Sequence, residues 1–269
     1  SVCESTMEGW LGLVRGMESE ALSLDIRRIV TDSDLDGVVT AAILRRWWPE
    51  AEVVFGHPGE LRAGLLDGHI DKYTAVCDLP RHPDCGLSID HHQSNAPGED
   101  EDDGVVIIWR ETPSAARIAY DLLEGEVDLS DLEDMLVWVD KLDGGGINRE
   151  EFRSDHPVIW LGRVVDIESG IAHHILEALQ HGVSVDEILS GPAVAPALKH
   201  RRARQAEMDS AIAESTHVVD RLAIVRLEDR GMRSNGYHAT ALVGEDCDAC
   251  LIVHGDVGAS FGDKDRYPV

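Results

Sequence analysis

Residues 27–37 read RRIVTDSDLDG, and this stretch decides the fold class of the chain. Its first part is β-branched and apolar, as in a buried strand, and Asp32, Asp34 and Asp36 then follow at alternate positions. Gly37 and an apolar helical pattern come directly afterwards. A strand that passes through an acidic turn into a helix is typical of the crossover units that build a parallel sheet.

The rest of the chain continues this alternation of strand and helix patterns. Short β-rich runs occur at residues 52–55, 73–77, 87–89 and 105–109, and an amphipathic helix is predicted over residues 114–123. The periodicity is helical from residue 129 to 214, and apolar, β-rich runs follow at 222–227, 239–243 and 249–253. We therefore predict an α/β fold with a parallel sheet, flanking helices and a smaller α/β C-terminal lobe.

The predicted domain organisation has three parts. Residues 1–191 form the main domain, residues 192–215 a linker helix, and residues 216–269 a small C-terminal domain. We expect an active-site cleft between the two lobes.

The charge balance restricts the partners. Of 269 residues, 51 are Asp or Glu and 24 are Lys or Arg, so the formal net charge is −27. Such a surface repels nucleic-acid phosphates, which argues against binding of long duplex DNA. Abundant Asp with only four lysines suits a protein kept soluble at high salt. A halophilic source is therefore one hypothesis, and an acidic mesophilic protein is the other.

Compartment and membrane association are also constrained by the sequence. No stretch approaches the roughly 18 apolar residues of a membrane-spanning helix, so no membrane partner is expected. The N-terminal residues lack the basic and apolar regions of a signal peptide, which predicts a cytoplasmic protein. Five cysteines, an odd and scattered set, indicate reduced thiols and argue against a disulfide framework.

Two more strand patterns end in chemically active side chains. Asp78 follows the third pattern, and Asp90, His91 and His92 follow the fourth. Because parallel strands place their carboxyl ends at one edge, these residues should meet the acidic turn that follows the first strand. Clustered carboxylates are costly unless cations neutralise them, and oxygen ligands with an imidazole suit two divalent ions, Mn²⁺ or Mg²⁺ before Zn²⁺. Taken alone, the acidic turn is also consistent with a plain helix cap.

Four motifs in this order resemble the DHH phosphoesterase superfamily. They are Asp32–Gly37, Asp78 in the stretch CDLP, the triplet Asp90–His92, and an Asp in the stretch VDKLDG at residues 139–144. The superfamily includes pyrophosphatases, exopolyphosphatase-related proteins, exonucleases, nano-RNases, pAp phosphatases and cyclic-dinucleotide phosphodiesterases.

The resemblance implies a role for each matching residue. Two Mn²⁺ ions, with Mg²⁺ as the alternative, would be held by Asp32, Asp34, Asp36, Asp78, His91 and an Asp of the fourth motif, with Asp78 bridging both ions. For the fourth motif we favour Asp140, which directly follows an apolar run, and Asp143 is the alternative. Asp90 and His92 would act in catalysis, Asp90 by orienting His91 and His92 by facing the phosphate.

The C-terminal lobe resembles the superfamily's substrate-gripping DHHA1 domain. Residues 254–261 match its characteristic strand, but the sequence ends before the glycine-rich element that contacts substrate, so we expect a shortened domain. Arg233 is a further candidate for substrate binding.

The function that the resemblance implies is metal-dependent hydrolysis of a small phosphorylated substrate. Short oligonucleotides, dinucleotides, pAp and polyphosphate all fit this description, so short nucleic acid is a candidate partner. The alternative is a non-catalytic relative that binds metal or nucleotide as a sensor. A homodimer is left open.

Overall fold

The computed structural model describes residues 16–98, 104–165, 170–228, 230–234 and 236–255. The chain divides into two compact units. The first comprises Ser1–Ile147 and Pro157–Val194, and the second comprises Asn148–His156 and Ala195–Val269. Residues 256–269, which include most of the DHHA1-like strand motif, lie outside the described residues.

A five-stranded parallel sheet forms the centre of the first unit, in the order β2-β1-β3-β4-β5. Its strands are β1 Arg28–Asp32, β2 Glu52–Gly56, β3 Thr74–Cys77, β4 Leu87–Asp90 and β5 Val106–Trp109. β3 and β4 are buried along their whole length, as expected for strands covered on both faces. The prediction of an α/β fold with a parallel sheet is confirmed.

Helices flank this sheet and complete the first unit. They are α1, described over residues 16–23, α2 Leu35–Leu44, α3 Pro58–Arg62, α4 Ala115–Leu123, α5 Glu133–Asp143, α7 Pro157–Val164, α8 Ile171–Gln180 and α9 Val185–Ser190. Every residue of α2 is buried, because this helix packs against β1 and also against α4 and α8. An apolar sequence on all sides suits a helix in that position.

The register of the sheet carries the acidic strand ends to one edge. Thr31 pairs with Cys77, and Cys77 pairs with Ile89, so Asp32, Asp78 and Asp90 each come one position further along neighbouring strands. The alignment is a consequence of parallel pairing, which places all carboxyl ends on the same side.

The second unit contains α6 Arg149–Arg153, α10 Ala195–Ser215 and α11 Gly236–Val243 with a three-stranded sheet. Its strands β6 Thr216–Val219, β7 Leu222–Arg226 and β8 Ala249–Val253 pair in the order β6-β7-β8. A cluster that includes Met208, Ile212 and Val225 forms its core. The predicted linker helix is α10, but the predicted domain boundaries and cleft stay predictions.

One predicted strand in this unit is wrong. Residues 239–243 belong to helix α11, although the run is apolar and resembles a strand pattern. Ala239 and Leu242, three residues apart, both pack against the core of the second unit. This spacing follows the period of a helix, which a run of only five apolar residues does not distinguish from a buried strand.

Among the described residues, no helix combines the length and the apolar character needed to cross a lipid bilayer.

Candidate metal centre

Side chains following β1, β3 and β4 meet the end of α5 at the carboxyl edge of the large sheet. Three overlapping groups each bring one ligand atom per residue to within 4.8 Å of one another. They are Asp32 with Asp34 and Asp78; Asp36 with His91 and Asp143; and Asp78 with Asp90, His91 and His92. We call these eight residues the acidic rim.

The turn between β1 and α2 holds two of the rim carboxylates. Asp34 is the N-cap of α2, and its Oδ1 accepts a hydrogen bond from Gly37 N at 3.0 Å. Asp32 Oδ1 accepts from Ser33 N at 2.6 Å. The helix-cap interpretation therefore describes Asp34, but it does not explain why Asp36 is also buried here.

Asp36 points from α2 toward the first turn of α4. Its two carboxylate oxygens accept hydrogen bonds from Ala115 N and Ala116 N, both at 2.8 Å. The first amides of a helix favour negative charge, so this contact fixes the carboxylate in one orientation. His91 Nε2 lies 3.7 Å from Asp36 Oδ2.

Asp78 lies between the groups and has an unusual backbone. Its φ is 56°, in the left-handed region that a non-glycine residue adopts only when its surroundings enforce it. The residue is 1% exposed, and its Oδ1 makes no hydrogen bond to any described residue. His91 Nε2 lies 3.4 Å from this oxygen, without the alignment that a hydrogen bond requires.

The ring of His91 is oriented by a backbone carbonyl. Nδ1 lies 3.1 Å from Thr112 O, and because a carbonyl only accepts, Nδ1 carries the donated proton. Nε2 then faces the carboxylates, 3.0 Å from Asp143 Oδ2, and like Asp78 Oδ1 it has no hydrogen-bond partner among the described residues. A ring fixed in this way is typical of an imidazole that ligates a metal.

Asp90 organises the turn after β4. It accepts hydrogen bonds from the backbone N of His91 and His92, from His92 Nδ1 at 2.8 Å and from Asn95 Nδ2 at 2.6 Å. The expected side-chain contact between Asp90 and the His91 ring is replaced by a contact with the His92 ring. Asp90 therefore positions His92, whose side chain is half exposed.

The pKa values of several rim carboxyls are raised because these groups are buried close to one another. Burial, together with the charge of Asp32, raises the pKa of Asp34 to about 6. Burial and the charge of Asp143 raise the pKa of Asp36 to about 7. The pKa of Asp78 lies well above its usual range because of burial and the nearby Asp36 charge. These carboxylates are thus destabilised in their charged forms when no cation is present.

The two imidazoles of the rim respond to the same charges in the opposite direction. Burial lowers the pKa of His91, but the adjacent Asp143 and Asp78 more than offset this and raise it to about 11. The hydrogen bond to Asp90 raises the pKa of His92. For Asp90 itself, burial raises the pKa, but the hydrogen bonds from His92 outweigh burial and lower it.

The two candidates of the fourth motif lie in different surroundings. Asp143 is at the last position of α5 and faces His91. Asp140 lies one turn earlier and accepts hydrogen bonds from Ser114 Oγ at 2.6 Å and from the Arg117 guanidinium at 2.6 and 3.0 Å. Asp140 is in none of the three ligand groups, so the arrangement favours Asp143, the alternative, over our first choice.

One further residue reaches the rim without having been assigned to it. His57 follows β2, the neighbour of β1, and its Nδ1 lies 2.9 Å from Ser33 Oγ and 3.4 Å from Asp32 Oδ1. Its place directly after a strand of the same sheet is the sequence signal that could have identified it. Arg233, the predicted substrate contact, is exposed in the second unit between β7 and α11.

The residues present fit a divalent-metal centre. Asp78 Oδ1 and His91 Nε2 are buried polar atoms without a hydrogen-bond partner among the described residues, and such atoms are costly unless something binds them. The donors are carboxylate oxygens and imidazole nitrogens, the set preferred by Mn²⁺ and related ions. Two of the three groups, Asp32 with Asp34 and Asp78, and Asp36 with His91 and Asp143, share no residue.

Comparison with known proteins agrees with the fold. Neither family models nor curated protein sequences gave a match to the chain. Among solved structures, a pGpG-specific phosphodiesterase, PggH of Vibrio cholerae, matches 86% of this chain and 78% of its own with a TM-score of 0.69 and 24% identity.

Two further structures match with lower scores. A DHH domain from a member of the S1P family of ribosomal proteins covers 95% of this chain and 77% of its own, with a TM-score of 0.47 and 13% identity. The manganese-bound exonuclease RecJ covers 78% and 71%, with a TM-score of 0.40 and 16% identity. This chain therefore shares its fold with the pGpG-specific phosphodiesterase, and the predicted α/β architecture agrees with that match.

Proposed function

We propose that this protein is a metal-dependent phosphodiesterase that hydrolyses short phosphorylated substrates at the acidic rim. The observation that carries the proposal is a pair of buried ligand atoms that make no hydrogen bond among the described residues, Asp78 Oδ1 and His91 Nε2, beside carboxyls with raised pKa values. His91 Nε2 lies within ion-pair distance of Asp78 and Asp143, but one imidazole does not balance the whole group of carboxylates. Clustered buried carboxyls with raised pKa values favour the binding of a cation, and such clusters concentrate at functional sites.

The residues sort into two sets of ligands. Asp32, Asp34 and Asp78 would hold one Mn²⁺ ion, and Asp36, His91 and Asp143 the other, with Mg²⁺ as the alternative metal. Asp78 lies close enough to His91 to serve both sets. When bound, such ions neutralise the charge of a phosphate and lower the pKa of water at neutral pH.

His92 is the residue best placed to meet the substrate. Its Nδ1 is held by Asp90, so Nε2 is directed away from that contact, and the side chain is 45% exposed. The raised pKa of His92 favours the protonated ring, whose Nε2–H would donate to a phosphate oxygen as negative charge develops. Asp90 acts by keeping the ring in this orientation.

A linear dinucleotide is the substrate we favour. The phosphodiesterase that matches with a TM-score of 0.69 is pGpG-specific. A net charge of −27 on this chain disfavours the binding of long nucleic acid. pAp and polyphosphate share the phosphate chemistry and remain substrates to compare. We further propose that Arg233 contributes to binding the part of the substrate away from the cleaved bond.

A substrate panel in Mn²⁺ tests the proposal. We would measure kcat/KM for pGpG, another 5′-phosphorylated dinucleotide, pAp, polyphosphate and a long single strand. The dinucleotides should be cleaved fastest, and chelation of the metal should abolish the activity. Replacing Arg233 with Gln should raise KM more than it lowers kcat.

Two outcomes would overturn parts of this account. A strong preference for the long strand would reject the small-substrate assignment. Tight Mn²⁺ binding without hydrolysis of any substrate would support the non-catalytic alternative, a sensor that binds metal or nucleotide.

A further inference from the structure

The segment between β5 and the first turn of α4 contacts two of the proposed metal ligands. Thr112 O accepts the hydrogen bond from the His91 ring, and Ala115 N and Ala116 N donate to the Asp36 carboxylate. Both ligands belong to the same group of the rim. The position of this short backbone segment therefore sets the geometry of that group.

Asp140 ties this segment to helix α5. Its Oδ1 accepts from Ser114 Oγ at 2.6 Å, and its Oδ2 accepts from Arg117 Nε at 3.0 Å and Nη2 at 2.6 Å. Ser114 is fully buried and is itself the N-cap of α4, accepting from Arg117 N at 3.0 Å. One carboxylate thus fixes both the cap and the end of the first turn.

Both oxygens of Asp140 are engaged by Ser114 and Arg117, whereas Asp143, one turn along the same helix, faces His91. Asp143 Oδ2 lies 3.0 Å from His91 Nε2, whereas Asp140 belongs to none of the ligand groups. Two N–H groups of Arg117 converge on Oδ2, and hydrogen bonds between charged groups are shorter and roughly twice as strong as those between neutral groups. Helix α5 therefore carries a proposed metal ligand, Asp143, and, three residues earlier, a residue that holds α4 in place, Asp140.

We propose that Asp140 is a positioning residue that, through Ser114 and Arg117, orients Asp36 and His91 for metal binding. This inference rests on the proposed function, since it concerns the same site. Partners that orient ligands in this way typically change metal affinity by about 10–100-fold when they are replaced.

Arg117→Gln is the decisive variant, because an arginine is not a metal ligand. If only charge mattered, removing a positive charge near the rim would strengthen the binding of a cation. If Arg117 and Asp140 position the ligands, the same change weakens it. We expect the Kd for Mn²⁺ to rise about 10-fold or more, with the number of bound ions unchanged.

A matched control is available in the same unit. Asp131 also pairs with an arginine, because Arg46 Nη1 and Nη2 donate to its two oxygens at 2.6 and 2.7 Å, beyond the end of α2 that lies opposite the rim. Asp131→Asn weakens an Arg–Asp ion pair away from the rim, so it should change thermal stability while leaving the Kd for Mn²⁺ as in the unmodified chain.

The experiment is a Mn²⁺ titration of the unmodified chain and of Arg117→Gln, Asp140→Asn, the double variant, Asp140→Glu and Asp131→Asn. The double variant should bind Mn²⁺ no more weakly than the weaker single variant, because both changes break one contact. Asp140→Glu should recover part of the affinity. An unchanged or lower Kd in Arg117→Gln, or loss of a bound ion in Asp140→Asn, would overturn the inference.

Two features keep the test decisive. If Asp140→Asn does not fold, Arg117→Gln still gives the answer, since its side chain is partly exposed at the start of α4. The readout is metal affinity and not hydrolysis. A chain that binds Mn²⁺ as described but cleaves no substrate would reject the proposed function and leave this inference intact.

Discussion

Asp78 combines a left-handed backbone, near-complete burial and a carboxylate oxygen that makes no hydrogen bond among the described residues. Each feature is unfavourable for folding, and strained residues of this kind concentrate at functional sites. Asn is the most suitable replacement, because it tolerates the left-handed conformation and keeps the size of the side chain without its charge.

We expect Asp78→Asn to stabilise the metal-free chain and to lower its activity. Without metal, it should raise the free energy of unfolding by about 1–3 kcal/mol, since it removes a buried carboxyl whose charged form is disfavoured by burial and by the neighbouring Asp36. It should lower kcat/KM by more than the roughly 100-fold that is the upper range for residues that merely orient a ligand. Thermal melts in chelator and initial rates in Mn²⁺ measure the two effects.

Loss of stability in Asp78→Asn would contradict this interpretation, because it would mean that the carboxylate makes a stabilising contact. Retention of full activity would remove Asp78 from the centre altogether.

The junction of β1 and α2 determines how the first two carboxylates are presented. A Cβ on Gly37 would lie 2.1 Å from Asp32 O and 2.9 Å from Thr31 Oγ1, both in β1. Such an overlap forces helix and strand apart. We expect Gly37→Ala to destabilise the chain by about 1–3 kcal/mol and to weaken Mn²⁺ binding, because it displaces Asp34 and Asp36.

Gly68→Ala is the control for this substitution. No atom lies within 4 Å of a Cβ added at Gly68, so the change should leave both the unfolding free energy and the Kd for Mn²⁺ nearly unchanged. A Gly37→Ala variant that behaved like this control would show that the strand–helix contact is not tight.

The extent to which the sequence predicted these elements follows from the strength of each local pattern. β1 and its acidic turn were predictable, because a buried strand, a cap residue and an apolar helix all point to the same structure. Residues 239–243 were not, since five apolar residues suit either a strand or a helix.

In the fourth motif, sequence position alone does not show which of the two Asp residues is the metal ligand. Asp140 and Asp143 are three residues apart on α5, so both lie on the same side of the helix. The residue that distinguishes their surroundings, Arg117, lies on another helix and pairs with Asp140. Only the tertiary arrangement shows that Asp140 is occupied by that contact.

The charge of the whole molecule leads to a prediction about salt. With a net charge of −27, the chain repels itself at low ionic strength, and screening shortens to about 3 Å in molar salt. We expect Tm to rise as KCl is increased from dilute to molar concentration, at saturating Mn²⁺ so that metal binding does not vary. A flat or falling Tm would reject the halophilic hypothesis.

Stability should also depend on pH in a direction set by the rim. The folded pKa values of Asp34, about 6, and Asp36, about 7, lie above the unfolded value of 3.8, so between these limits the folded chain holds more protons. Their contribution to stability is complete below the unfolded pKa and is lost as pH rises through the folded pKa. His91, raised from 6.5 to about 11, acts in the same direction at higher pH.

For the metal-free chain in molar KCl, we therefore expect Tm to fall as pH rises from about 4 to 8. Saturating Mn²⁺ should reverse the trend, because metal binds the deprotonated ligands. In Asp36→Asn the metal-free fall should be shallower. A metal-free Tm that rises over this range would show that the rim carboxylates are not destabilised in the folded chain.

The most direct test of the account is the number of Mn²⁺ ions bound per chain, measured by equilibrium dialysis. We predict two ions for the unmodified chain and one each for Asp34→Asn and Asp143→Asn, because these residues belong to the two ligand groups that share no member. If the unmodified chain binds no Mn²⁺, or if both variants still bind two ions, the acidic rim is not the metal centre proposed here.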